Sequence, residues 1–322
     1  MDSFTVPVWL TRRSGGGLVL VLEVDAYIPR TECFFNCCTI TTSWEACLAV
    51  PKWKEMPMVF TPRTAIVTGS DSGIGRAAAV ALAKAGMDVG VTWHEDEEGA
   101  KGTAEEVRTL GRKAFTAHLD TTDLPGCGRI IDSLAQDLGS LDVFVSNSGT
   151  GDGTPFLDLD FATWKQTLDT NLNGAFVCLQ HAARKMVDAG KEGRLIAVTS
   201  VHETQPRVGS AAYTSSKHGL GGLMKVMALE LGRYGITVNS VAPGEIATPM
   251  TGQEDEDPHG TERPGIPLGR PGDAREIAAV VAFLASPAAS YVTGASWPVD
   301  GGMLQMGPQG GSHITSADWL EA

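Results

Sequence analysis

Tyr213 and Lys217 stand four residues apart in Ala211-Ala-Tyr-Thr-Ser-Ser-Lys217, a segment that reads as helix, so their side chains share one face about a turn apart. A free tyrosine ionises near pH ~10, and an ammonium beside a phenol favours the phenolate. The pair is therefore a candidate acid and base near neutrality, with Tyr213 exchanging the proton. Ser200 precedes Tyr213 by thirteen residues and follows the apolar run Leu195-Ile-Ala-Val198. It falls at the end of a strand leading to that helix, where its hydroxyl can polarise a carbonyl. By itself a Tyr-x-x-x-Lys spacing usually marks only a helix face. The elements that would have to position it are what give it weight.

Upstream, the β-branched strand candidate Thr64-Ala-Ile-Val-Thr68 runs directly into Gly69-Ser-Asp-Ser-Gly73-Ile-Gly75 and then into an alanine-rich helix from near Arg76. In this order of strand, glycine turn and helix, the backbone can approach a pyrophosphate while the helix N-terminus offers free N–H groups and a positive dipole end. A tight turn alone is the plainer use of such glycines. Strand patterns recur near 64–68, 88–93, 113–118, 141–146, 193–199, 235–241 and 296–299, with helical segments between them. Such alternation predicts an α/β fold: a doubly wound, parallel, seven-stranded Rossmann-type sheet with helices on both faces. Ligands in that fold bind beyond the carboxyl ends of the strands, where Gly69, Asn147, Ser200 and Pro243 fall.

Together, Thr68-Gly-x-x-x-Gly-x-Gly75, Ser146-Asn-Ser-Gly149, Asn171, Ser200, Tyr213, Lys217 and Pro243-Gly244 resemble the short-chain dehydrogenase/reductase family, over about residues 60 to 305. Within that span, Ser200-Val-His-Glu203, Ser290-Tyr-Val-Thr-Gly294 and Asp300-Gly-Gly-Met303 are most similar to its bacterial glucose 1-dehydrogenase-like branch. The resemblance implies hydride transfer between a nicotinamide cofactor and a secondary alcohol or a ketone or aldehyde. Tyr213 would exchange the proton, Lys217 would assist it and hold the nicotinamide ribose, Ser200 would bind the substrate oxygen, and Asn171 would hold a water on the proton path. By the same resemblance, cofactor contacts are expected from Gly69, Ser72, Gly73, Ile74 and Gly75 in the glycine loop, and from Asp120 at the adenine. Asn147 and Gly149 are expected along the adenosine half, with Pro243, Gly244, Ile246 and Thr248 around the nicotinamide. Ser146-Asn-Ser-Gly149 departs from the family's Asn-Asn-Ala-Gly by two small polar substitutions that leave the loop able to approach the cofactor.

The cofactor itself is read from the turn after the second strand, Val91-Thr-Trp93-His94, where the first acids come only at Glu95 and Asp96. A carboxylate at that turn accepts the ribose hydroxyls of NAD. With Trp93 in its place and His94 able to meet a 2'-phosphate, NADP(H) is the expected preference and NAD(H) the second option. An NAD-dependent sugar or polyol dehydrogenase is the alternative enzyme. A catalytically silent nucleotide-binding regulator is the alternative of another class, and its signature, a missing member of the Asn171, Ser200, Tyr213, Lys217 set, is not found.

At 322 residues with 43% hydrophobic content the chain can bury one large α/β core. A formal charge of -13 argues against nucleic acid or an anionic membrane surface as partner, since both require basic patches. No apolar run reaches membrane-spanning length and no signal peptide is indicated, so a cytoplasmic protein is expected. Residues 1–57, with three tryptophans, Cys33, Cys37, Cys38, Cys47 and no sustained helical or strand period, read as an atypical extension or a translated leader ahead of the usual start near Met56 or Met58. Those cysteines lack paired C-x-x-C hooks, so no metal is expected. Residues 58–306 read as one oxidoreductase domain and 307–322 as a tail. The acid- and proline-rich segment 250–267 occupies the place of a substrate lid. By resemblance the helices at Asp160–Ala189 and Ala211–Tyr234 would pair in a homo-oligomer, expected to be a tetramer.

Overall fold

The computed structural model describes residues 60–151 and 153–306, together with the course of two strands nearer the N-terminus. The chain divides into two units, Met1–Pro57 and Met58–Ala322. In the first unit, β1 (Thr5–Thr11) and β2 (Val21–Tyr27) pair antiparallel, with Thr5 opposite Tyr27 and Thr11 opposite Val21. The sequence shows no sustained strand period here, and strand fragments are readable only in residues 17–24, which β2 overlaps. Val6, Val8 and Leu10 alternate, as do Leu22, Val24 and Ala26, and Pro7 disguises the first run. Cys33, Cys37, Cys38, Cys47 and the tail 307–322 lie outside the described residues.

The second unit holds β3 (Thr64–Val67), β4 (Asp88–Trp93), β5 (Ala114–His118), β6 (Val143–Ser146), β7 (Gly193–Val198) and β8 (Ile236–Pro243). A two-residue pair, β9 (Ile246–Ala247) with β10 (Gly272–Asp273), precedes the last strand, β11 (Ser296–Val299). Seven strands form one parallel sheet in the order β11-β8-β7-β6-β3-β4-β5. The chain starts at the interior strand β3, winds outward through β4 and β5, and returns to β6 on β3's other side. A crevice opens at that reversal, beyond the carboxyl ends of β3 and β6.

Strand residues alternate between the two faces, which is why one sheet needs two cores. Ala65, Val67, Val89, Val91, Val143 and Val145 are buried on one face beneath α1 (Gly73–Lys84), α2 (Glu97–Thr109) and α7 (Ala274–Ala285). Ile66, Phe144, Leu195, Ala197 and Val238 are buried on the other beneath α3 (Leu124–Leu138), α5 (Gly174–Asp188) and α6 (Ala211–Leu231). Four helices begin at an aspartate whose carboxylate accepts a first-turn N–H: Asp96, Asp123, Asp160 and Asp273.

The helical run expected at Asp160–Ala189 is not continuous. It consists of α4 (Phe161–Leu168), a π turn at Asp169–Asn173, and α5. A π turn inserts one residue into the ladder and marks sites where a helix is bent to serve a neighbour. Here Asn173 donates to Asp169, and Asn171 is turned inward and fully buried.

At α7, Arg270 grips Glu276 with both terminal nitrogens at 2.9 and 2.7 Å, while Glu276 accepts the Asp273 N–H at 2.8 Å. The guanidinium first, and that N–H second, bring the Glu276 carboxyl from its ordinary 4.5 down to about 2. A folded value below the unfolded one means a contribution to stability that is present above pH 4.5 and lost as pH falls toward about 2. Glu276→Gln is expected to flatten the acid limb of the stability-against-pH curve in that window. It should cost at most about 1 kcal/mol at neutrality, because the carboxyl is 42% exposed and screened. Urea titrations across the acid range measure both.

Candidate active site

The glycine loop leaves β3 through Thr68 and enters α1 at Gly73. Gly69 and Gly73 have φ of 58° and 51°, the left-handed region that favours glycine. The Gly69 N–H donates to Thr92 Oγ1 at 3.0 Å and the Ser70 N–H to the Thr92 carbonyl at 2.9 Å, which ties the loop to the end of β4. A Cβ on Gly75 would lie 1.9 Å from the Gly69 carbonyl oxygen, so only glycine lets α1 press this closely on the loop. The Ser72 side chain makes no cap and the first turn of α1 holds no acid, leaving that helix terminus able to receive an anion.

Asn147 joins the next loop to this one. Its Nδ2 donates to the carbonyls of Thr68 and Gly69 at 3.0 and 2.8 Å, while Thr68 Oγ1 accepts the N–H groups of Asn147 and Ser148 at 2.9 and 3.0 Å. A cavity of about 570 Å³ lies beyond the tie, lined by Gly69, Asp71, Ser72, Gly73 and Ile74, then by His94, Glu95 and Asp120, and by Asn147, Gly149 and Thr248. The free helix terminus, the glycine floor and the polar far wall fit the pyrophosphate and adenosine of a dinucleotide.

Burial raises the Asp71 carboxyl, Asp96's charge adds to this, and its own backbone hydrogen bond and His94 oppose it. Asp120 accepts both the hydroxyl and the N–H of Thr122, at 2.7 and 2.8 Å, and that hydroxyl bond foremost holds its carboxyl below the usual range. The His94 imidazole lies 3.9 Å from each of the Glu95 and Asp120 carboxylates and is stacked on His118 at 5.7 Å.

A second cavity, of about 550 Å³, shares Ile74, Asn147, Gly149 and Thr248 with the first, and adds Ser200, His202, Tyr213, Lys217, Pro243, Gly244 and Ile246. Lys217 is 4% exposed; its Nζ donates to the Val198 carbonyl at 3.1 Å and lies 5.6 Å from the centre of the Tyr213 ring. No carboxylate among the described residues is paired with it. Ser200 Oγ accepts the His202 N–H at 3.1 Å. Asn171 stands behind this wall, its Oδ1 accepting the Thr150 N–H at 2.7 Å and its Nδ2 donating to the Thr150 carbonyl and Ser216 Oγ at 2.9 and 3.1 Å.

A family model described as enoyl-(acyl carrier protein) reductase matches residues 69–304. The uncharacterized oxidoreductase YohF of Escherichia coli (strain K12) is 50% identical, over 77% of this chain and 98% of that protein. The chain belongs to the short-chain dehydrogenase/reductase family. Its relatives in that family include the L-rhamnose 1-dehydrogenase (NAD(P)(+)) of Azotobacter vinelandii, 39% identical over 77% of this chain and 98% of that protein. The crystal structure of acetoin dehydrogenase YohF from Salmonella typhimurium superposes with a TM-score of 0.73 at 50% identity, covering 77% of this chain and 98% of that one. The protein is accordingly an oxidoreductase of a short-chain dehydrogenase/reductase family that uses NAD(P).

Most residues singled out from the sequence as family contacts line one or both cavities. Three do not. Trp93 turns its ring edge-on to His118 at 4.7 Å and packs on the core, because the last residue of β4 sits beside the last residue of β5; His94 and Glu95 take the wall instead. Gly75 contributes close packing rather than a cavity wall. Asn171 reaches the site only through Thr150 and Ser216. Arg76, the nearest cation to the glycine loop in sequence, is engaged by Glu106 and lines neither of these two cavities. Among residues that the sequence does not assign to the site, Asp71, Glu95, His202, Glu245, Met250 and Gln253 line it; Asp71 is visible as an acid within the glycine loop and Glu95 as one just after the expected cofactor turn.

Gly75→Ala puts a methyl group into the Gly69 carbonyl and must push α1 off the loop. Overpacking of this kind costs ~1–3 kcal/mol, so the variant is expected to melt several degrees lower and to bind dinucleotide at least tenfold more weakly. Calorimetry and cofactor titration measure the two losses.

Proposed function

We propose that the protein interconverts a short α-hydroxyketone and its vicinal diol, with a nicotinamide dinucleotide as hydride partner. The observation that carries this is the meeting of Ser200, Tyr213 and Lys217 on a cavity that shares its wall with the glycine-loop cavity. The name of the Salmonella relative, acetoin dehydrogenase, supports an α-hydroxyketone as the substrate. A sugar substrate is the second reading, favoured by the rhamnose dehydrogenase relative.

The dinucleotide, when bound, supplies or removes the hydride. In the reducing direction Tyr213 gives its phenolic proton to the carbonyl oxygen as charge develops there. Ser200 adds a second hydrogen bond. Its oxygen accepts the His202 N–H, which leaves its own hydrogen free to donate into the cavity that Ser200 lines. Lys217, steadied by the Val198 carbonyl, keeps a positive charge near the phenol and has further N–H groups for the ribose. Both Asn171 Nδ2 hydrogens are engaged by Thr150 and Ser216 and its Oδ1 accepts one N–H, which leaves one acceptor site on that oxygen for a water on the proton path.

The balance of charge in the first cavity argues for NAD(H) at neutral pH and against the NADP(H) preference expected from the sequence. Asp71, Glu95 and Asp120 face that cavity with one imidazole, and none of the described residues lining it is Arg or Lys. A 2'-phosphate would add its charge to three carboxylates. The large apolar side chains exposed on the helices, Phe161, Phe176, Val226 and Leu229, favour a homo-oligomer paired through α4, α5 and α6. No helix among the described residues is long and apolar enough to cross a membrane, and a cytoplasmic location belongs to the same reading.

Tyr213→Phe removes the proton donor and keeps the ring. It is expected to lower turnover of acetoin by ~100-fold or more with the cofactor dissociation constant nearly unchanged. Near-normal turnover would refute the role given to the phenol.

For the cofactor, the unmodified enzyme is expected to show the higher kcat/KM with NADH. Combining Asp71→Ser with His94→Arg should move the NADPH:NADH ratio at least tenfold toward NADPH, equivalent to ~1.4 kcal/mol. A native preference for NADPH would restore the sequence-based expectation.

A further inference from the structure

We infer that His202 is a specificity-determining residue: its Nε2 accepts a hydrogen bond from the substrate hydroxyl on the carbon next to the reacting one. This rests on the reading of the substrate as an α-hydroxyketone. His202 lines the second cavity beside Ser200 and Tyr213, in the short 3-10 turn Val201–Glu203 that follows Ser200. Its ring meets the Tyr213 ring edge to face at 6.1 Å, which brings the imidazole beside the phenol that exchanges the proton. One nitrogen is already engaged. Nδ1 lies 2.8 Å from the carbonyl oxygen of Gln205, and a carbonyl can only accept, so Nδ1 carries the hydrogen. In the neutral ring Nε2 is therefore an acceptor. It has no hydrogen-bond partner among the described residues.

The turn fixes this arrangement without the imidazole. The His202 N–H donates to Ser200 Oγ, the Glu203 N–H to the Ser200 carbonyl, and the Glu203 carboxylate accepts the hydroxyl of Ser296 on β11. Replacing the ring therefore leaves the backbone bond to the Ser200 hydroxyl. The two polar groups next to the reacting carbon are complementary: Ser200 donates to the oxygen that is reduced, and His202 accepts from its neighbour. A monofunctional ketone leaves the acceptor unpaired, which is the situation in which an enzyme discriminates by a missing hydroxyl.

The test compares acetoin with butanone, which differ by that hydroxyl alone, in the full-length enzyme with NADH. In His202→Phe, the ratio of kcat/KM for acetoin to that for butanone is expected to fall about tenfold, mainly through the KM for acetoin, and His202→Gln, whose amide oxygen accepts, should recover part of it. In the unmodified enzyme with cofactor bound, long-range proton–nitrogen NMR should show the His202 Nε2 resonance shifting with acetoin and not with butanone. A ratio unchanged in both variants, even with lower absolute rates, or an Nε2 resonance indifferent to acetoin, overturns the inference. An unmodified enzyme that reduces neither ketone overturns the functional reading first, and the role of His202 with it.

Discussion

The site depends on a hydrogen-bonded tie between the carboxyl ends of two adjacent strands. Thr68, just past β3, receives two N–H groups on its hydroxyl, and Asn147, just past β6, gives its amide to two carbonyls of the glycine loop. At this point the winding of the sheet reverses, so the loops leave in opposite directions and would otherwise separate with nothing to satisfy their backbone groups. The tie holds the glycine loop on one side and Gly149 on the other. Every later placement is measured from it: α1 packs on Gly69, and Asn171 grips Thr150 two residues beyond Ser148.

From that frame follows a division of electrostatic labour in an acidic chain. The helix terminus at Gly73 offers partial charge without a side chain, which suits a pyrophosphate and does not need a lysine or arginine in the loop. The full positive charge is reserved for the deep wall, where Lys217 is buried against the Val198 carbonyl with the phenol of Tyr213 nearby. Buried ammonium groups are costly unless hydrogen-bonded or given a partner. The carbonyl supplies part of that compensation, and phenolate character on Tyr213 during turnover would supply more. Acids gather instead at the far end, where Asp71, Glu95 and Asp120 line the first cavity together with His94.

Charge also holds the segment 250–267. Glu245, directly after Pro243-Gly244, accepts from Gln253 and from Arg263, which also reaches Glu256. The loop beside the expected nicotinamide position and the segment 250–267 are therefore linked by charge-assisted bonds, strong enough to order exposed loops and weak enough to be exchanged.

Local chemistry makes much of this legible in the amino-acid sequence. All seven sheet strands are marked with no end displaced by more than two residues; the interior strands β3, β6, β7 and β8, buried on both faces, leave a near-continuous apolar signal, while the edge strands β5 and β11 are only partly buried. The Asp273 cap and the order of glycine loop, Ser200, Tyr213 and Lys217 are likewise written in residue types and spacings. Three features are not. The π turn at Asp169–Asn173 arises because Asn171 is drawn toward Thr150 and Ser216, partners 21 and 45 residues away. Trp93 faces away from the cofactor wall because β5 brings His118 alongside it. His202 stands beside the phenol because a turn held by Ser200 and Ser296 folds it there. Sequence determined the elements and the residues able to do chemistry, since backbone periodicity and capping are settled within a few residues. Which side chains share a wall was decided by tertiary structure, since that is set by contacts between strands and helices distant along the chain.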